Sequence, residues 1–334
     1  VLAAAPVAAS FPGEPGKIAM ARFSDGKGIW VMGRNGGGLE RLTQRSDMNP
    51  SWSPNGDMLT FQRYFPSDGS FKIFVMNADG SGRRAISEPS LGTQQGCAIV
   101  EPEWSYDGAF VAYMDFCFDT DPRVAQIRVA AADGSGEVQL ADYGPVYLYS
   151  QPWSPNLEEG LQLVYTGGSP SDVFRVNSDG TGVFALTNDP DLMQLEAQWS
   201  PRGDLIAFVS QPVDAEVPKG YLEVVEPDGE NRRVVFEGKY SVGEPLWSPD
   251  GSKLFFTRYS YYGMPTGMIL DIETDELTVV GKGYSSMPSA WSPRSDAILL
   301  GHRGNIVKYR LGSGTFVKLT SGPAQEGTPD WQAR

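Results

Sequence analysis

The chain has 334 residues, 40% of them hydrophobic, and its 41 acidic side chains outnumber the 27 basic ones to give a formal charge of −14. A surface of that sign repels phosphate backbones and anionic headgroups, so nucleic acid is excluded as a partner and the acidity reads as a solubility device. No apolar run reaches the roughly 18 residues of a membrane-spanning helix, and a single histidine rules out a histidine-rich zinc or manganese centre.

The N-terminus, VLAAAPVAAS, is small and apolar and runs into the Pro/Gly segment FPGEPG. Residues 1–16 read as a leader or the remnant of a signal peptide, and 17–334 as the folded domain. A periplasmic or secreted protein follows from that reading. Three short apolar stretches come next: KIAMARF, GIWVMGRNGGG and LERLT. At PSWSPNG (50–56) a fuller unit begins. Its Trp is followed by a Ser-Pro-x-Gly turn, the alternating strand MLTFQRY, the strand KIFVMN running into an Asp-Gly turn, and RRAIS. Proline presets φ at the second position of such a turn, glycine supplies the unusual φ near its end, and Asp-Gly between apolar runs signals a hairpin.

The Trp motif then returns as PEWSYDG (102–108), QPWSPNL (151–157), AQWSPRG (197–203), PLWSPDG (245–251) and SAWSPRS (289–295), and fades into PDWQ (329–332). Intervals between the tryptophans, at 52, 104, 153, 199, 247, 291 and 331, shrink from 52 to 40 residues. That period suits four antiparallel strands, which is a propeller blade. The three outer strands already occur before the first Trp motif. The Trp strand at the C-terminus is therefore the missing first strand of the N-terminal blade. The prediction is an all-β, seven-bladed β-propeller of four-stranded antiparallel blades, closed by that C-terminal strand. Six blades is the alternative if one unit is degenerate. One Trp per blade at the same turn is a packing rule rather than a ligand platform.

Chain direction assigns the loops to faces. The loop between the second and third strands and the blade-to-blade connections share one face, the top, while the Ser-Pro-x-Gly and Asp-Gly turns share the bottom. Cys97 and Cys117 fall on the top, and a disulfide between them, tying two insertions down, suits an exported chain. Two unrelated thiols are the alternative. Tyrosines gather in the top loops: Tyr64, Tyr143, Tyr147, Tyr149, Tyr240, Tyr259, Tyr261, Tyr262 and Tyr284. Tyr brings large area at low entropy cost, so these are candidate partner contacts; the alternative is that several are half-buried rim residues. Three residues before each Trp stand Asn49, Glu101, Ser150, Glu196, Glu244, Pro288 and Thr328. Glu101, Glu196 and Glu244 are expected to converge at the channel mouth, where carboxylates hold a cation, calcium being the candidate, or a basic group of a partner. Alternatively they point sideways onto the next blade.

The repeat W-S-P-D-G, alternating strand, I-Y-V-M-N-A-D-G-S-G, R-R-L-T resembles that of TolB-like propellers. It stands most cleanly at 52–86 and 247–256, and the resemblance covers 17–332. Residues 1–16 are too few for the α/β domain that precedes the blades in TolB. The resemblance implies a monomeric, non-catalytic exported scaffold without a cofactor, binding a protein or peptide through its top loops and channel mouth. Similar repeats occur in prolyl-oligopeptidase-like enzymes and polysaccharide lyases, so the alternative is a carbohydrate-active propeller, a glycan binder or a lyase. In a lyase, His302, Arg303, Tyr259, Tyr261 and Tyr262 of the last two blades are the candidate catalytic residues, with Tyr or His as base and Arg holding a uronate. No nucleophile elbow accompanies them.

Overall fold

The computed structural model describes residues 11–90, 97–117, 124–141, 146–214, 219–282, 285–322 and 324–334. Their strands form seven four-stranded antiparallel sheets, each one blade of a ring. From the channel outward, blade 1 consists of Glu326–Ala333, Pro15–Arg22, Gly28–Met32 and Glu40–Arg41. The innermost strands of blades 2 to 7 are Asp47–Trp52, Cys97–Trp104, Val146–Tyr147, Leu192–Trp199, Val242–Trp247 and Ser285–Trp291, and the other three strands of each blade follow in chain order. The last strand of the chain pairs with the first, Ile18 opposite Trp331, as the out-of-phase repeat predicts. Closure pairs the inner edge of Pro15–Arg22, which would otherwise stand open at the seam.

The turn chemistry repeats as read. In the second blade Gly56 N–H donates to Ser53 O at 2.8 Å, and Ser53 Oγ accepts from Met58 N–H at 3.0 Å. Gly108, Gly203 and Gly251 close the equivalent turns at φ between 68° and 75°, and in blade 7 Ser295 takes glycine's place at φ 59°.

The cores lie between blades rather than inside them. Trp52, Leu59 and Phe61 of blade 2 pack on Ala19, Ile29 and Val31 of blade 1, and Trp291 of blade 7 packs on Leu246, Phe255 and Ile269 of blade 6. A hydrogen bond adds to this in three blades. The Trp104, Trp153 and Trp291 indoles each donate, at 3.0 Å, to the carbonyl of the residue that precedes the previous blade's tryptophan: Ser51, Glu103 and Leu246. Buried Asp330 does the same job at the seam, its Oδ2 accepting Trp52 N–H at 2.6 Å.

Cys97 and Cys117 form a disulfide. They face each other in the register of the first two strands of blade 3, so the bond is a cross-strand clip within one blade and not a tie between two separate insertions. No helix is long and apolar enough to cross a membrane, among the residues described.

Candidate functional site

The glutamate positions owe their placement to a backbone irregularity. In five innermost strands two residues oppose one on the second strand: Asn49–Pro50, Glu101–Pro102, Glu196–Ala197, Glu244–Pro245 and Thr328–Pro329. Each is a β-bulge whose first residue has positive φ, from 48° to 60°. A left-handed backbone at a residue other than glycine costs about 1–2 kcal/mol, so the surrounding sheet holds these residues where they are. The sequence carried a signal for this. A proline inside a central strand cannot donate to the ladder and is confined to bulges.

Blade 4 departs from the pattern. Its innermost strand is only two residues long, and Gln151, not Ser150, has the left-handed backbone, at φ 53°. Gln151 O accepts Trp199 N–H of blade 5 at 2.9 Å. Its side chain reaches blade 6, where Oε1 accepts Trp247 N–H at 3.1 Å and Nε2 donates to Trp247 O at 3.3 Å.

The three glutamates stand on the innermost strands of blades 3, 5 and 6. Glu196 Oε2 accepts the backbone N–H of Glu244, and the Tyr259 hydroxyl donates to Glu244 Oε1 at 2.9 Å. Glu101 is buried, with its Oε2 lacking a hydrogen-bond partner. Burial, and then the neighbouring Glu244 carboxylate, pushes Glu196 up to about 8. Burial and Glu196 raise Glu101. Tyr149 feels the same charges: burial first, then Glu196 and Glu101, lifts its phenol. The electrostatics thus link Glu101 to Glu196 and Glu196 to Glu244 in a row. Among the described residues no three carboxylate, imidazole or thiolate groups close on one point as a metal cluster does.

Between blades 5 and 6 lies a cleft of about 670 Å³ whose walls include Phe236, Tyr240, Arg258, Tyr259, Met264 and Pro265. Tyr259 lines the cleft, and its hydroxyl reaches Glu244. Tyr240 packs on Tyr261 at 5.8 Å, and Tyr261 on Tyr262 at 5.3 Å. Tyr261 is 68% exposed, Tyr262 88% and Met264 59%. Large apolar side chains adjoining each other in water mark an interaction surface.

The other sequence candidates are dispersed. Tyr147 and Tyr149 sit on or beside the innermost strand of blade 4, partly buried, with Tyr147 6.3 Å from Phe116. Tyr64 packs on Phe71 within blade 2. Tyr143 and Tyr284 lie outside the described residues. His302 ends the second strand of blade 7, half-buried, and Arg303 opens the turn after it at φ 51°. Neither lines the cleft that Tyr259 walls. Gln151 and Arg258 were not singled out by sequence reasoning, because nothing in one chain's pattern distinguishes them.

No protein-family model matches the chain. Dipeptidyl-peptidase 5 of Porphyromonas endodontalis is 32% identical over 120 residues, 35% of this chain and 15% of that protein. The Tol-Pal system protein TolB of Gluconobacter oxydans is 36% identical over 109 residues, 29% of this chain and 22% of TolB. The chain thus spans under a quarter of these relatives' length. Among solved structures, TolB from Acinetobacter baumannii superposes with a TM-score of 0.58 at 15% identity, over 84% of this chain and 67% of that one. An oligogalacturonate lyase with manganese gives 0.69 at 11% identity, over 90% and 86%. The propeller domain of the Trilobed protease from Pyrococcus furiosus gives 0.64 at 15%, over 95% and 98%. What these likenesses have in common is the scaffold: this chain is a seven-bladed propeller of TolB-like fold.

Proposed function

We propose that the protein is an exported, non-catalytic scaffold that binds a protein or peptide partner on its top face, between the exposed tyrosines and the channel mouth. The observation that carries this reading is the juxtaposition of the Tyr261–Tyr262–Met264 ridge with an acidic mouth, joined through Tyr259. Aromatic and thioether side chains supply the contact area, and the glutamate row receives a lysine, arginine or terminal ammonium of the partner. The disulfide supports an oxidising compartment.

The test is a pull-down by the tagged protein from envelope extract, run beside two variants. Tyr261→Ser with Tyr262→Ser alters only exposed side chains, and a triple Glu101, Glu196, Glu244→Gln change removes the acids. A partner enriched by the native protein and lost with either variant is the expected result. A partner retained by both sinks the reading. Cleavage of a uronate polymer that is abolished by His302→Ala would replace it with a lyase.

A further inference from the structure

The blades themselves supply the reference for one residue. In blades 1 and 2 the innermost strand begins with an acid, Glu326 or Asp47, and the register sets an arginine of the second strand opposite it, Arg22 or Arg63. Arg22 Nη2 donates to Glu326 Oε1 at 2.7 Å, and Arg63 grips both oxygens of Asp47 at 2.7 and 2.8 Å. Blade 6 keeps the arginine without the acid: Arg258 stands opposite Val242, the first residue of its innermost strand. No side chain among the described residues forms an ion pair with Arg258.

Arg258 lines the cleft between blades 5 and 6, together with Lys239 and Lys282. Those two also lack an ion pair among the described residues. The cleft's own acid, Glu237, is held by Lys219 at 2.6 Å. Three cations without an ion pair among the described residues, Lys239 lying over the Tyr240 ring at 5.5 Å, thus line one concavity of a chain whose charge is −14. Like charges gather at such a place with an electrostatic penalty that an anion removes. The walls narrow the choice of anion. Phe236, Met264 and Pro265 offer apolar surface, while Ser260, Thr266, Tyr240 and Tyr259 carry the neutral hydroxyls of the lining, that of Tyr259 already donating to Glu244.

We propose that this cleft binds an acidic segment of the protein partner, with an aspartate or glutamate carboxylate seated on Arg258 as Asp47 is seated on Arg63, and with apolar side chains on either side of it against the aromatic wall. The inference rests on the top-face reading above and adds the partner's chemistry. Bidentate contact with a carboxylate is what an arginine fork is shaped for.

Fluorescence anisotropy tests it, using the full chain and a labelled heptapeptide alternating aspartate with leucine and tyrosine, beside its asparagine counterpart. The aspartate peptide is expected to bind at least tenfold tighter. Arg258→Gln should erase that preference and Arg258→Lys should keep part of it. Val242→Asp, which rebuilds the pair found in blade 2, should erase it with Arg258 still in place. Lys239→Gln and Lys282→Gln change cleft-lining side chains and should each reduce the preference about threefold, which keeps the test open if an Arg258 or Val242 variant fails to fold. Equal binding of the two peptides, or an undiminished preference in Arg258→Gln, overturns the proposal. So does Arg258-dependent binding of trigalacturonate without binding of the aspartate peptide. In the pull-down, loss of the partner with Tyr261→Ser/Tyr262→Ser but not with Arg258→Gln would leave the top-face reading standing and this inference refuted.

Discussion

Trp104 and Trp247 fill the same place in their blades, yet they are held differently. Trp104 donates its indole N–H to Ser51 O, whereas the Trp247 indole nitrogen has no acceptor among the described residues. Replacing each by phenylalanine should therefore destabilise the protein unequally, Trp104→Phe by about 1 kcal/mol more, since that is the net worth of a buried hydrogen bond. Chemical denaturation of the two variants measures the difference. Glu196 makes a second prediction. Folding raises its proton affinity from the ordinary 4.5 to about 8, by burial above all. The native state thus holds a proton that the unfolded chain has released, and this stabilisation is complete below about pH 4.5 and lost as pH rises through 8. Asp330, raised by burial to about 8, acts in the same direction. Stability should fall between pH 5 and 8. Glu196→Gln should flatten that slope, by roughly 4 kcal/mol between pH 5 and pH 8 if the whole shift is expressed. A slope unchanged in the variant would mean that the mouth is wetter than its geometry implies.

At the scale of strands and turns, the local chemistry was legible because turns speak a small vocabulary. Ser-Pro-x-Gly and Asp-Gly punctuate almost every blade, and the strands run between them as read. The bulges were less legible, although Pro50, Pro102, Pro245 and Pro329 announce four of them, each following the residue that turns left-handed. In blade 4 the left-handed residue is Gln151 and not Ser150, since a shortened innermost strand shifts the irregularity by one position without changing the Trp motif. The disulfide pair was legible and its geometry was not: spacing placed both cysteines on the top, but only pairing register sets Cys97 opposite Cys117. The clip closes a loop with a sequence separation of 20 residues. Replacing both cysteines by serine should cost about 3 kcal/mol in the loop-closure picture. Hydrogen exchange should show the loss first in blade 3, and uniform loss around the ring would contradict a local clip.

For the molecule as a whole, the repeat spelled out the ring and its closure, while the site stayed hidden because a site is where the repeat is broken. Deleting 326–334 should leave blade 1 with three strands and expose the edge of Pro15–Arg22. The expected outcome is loss of a single cooperative melt together with aggregation, read by calorimetry and light scattering. A deletion variant that melts like the full chain would show that the seam carries little of the stability. The amide of Gln151 bears on the opposite side of the ring. It fastens blade 4 to blade 5 by its carbonyl and to blade 6 by its side chain, like a strut set across a corner. The three blades it joins carry Glu196, Glu244 and the cleft, so that sector is triangulated and its contours exist before anything docks. Most of the ordering entropy of association then falls on the partner, and a pre-stiffened or cyclised peptide should gain more in affinity than any change that stiffens the propeller.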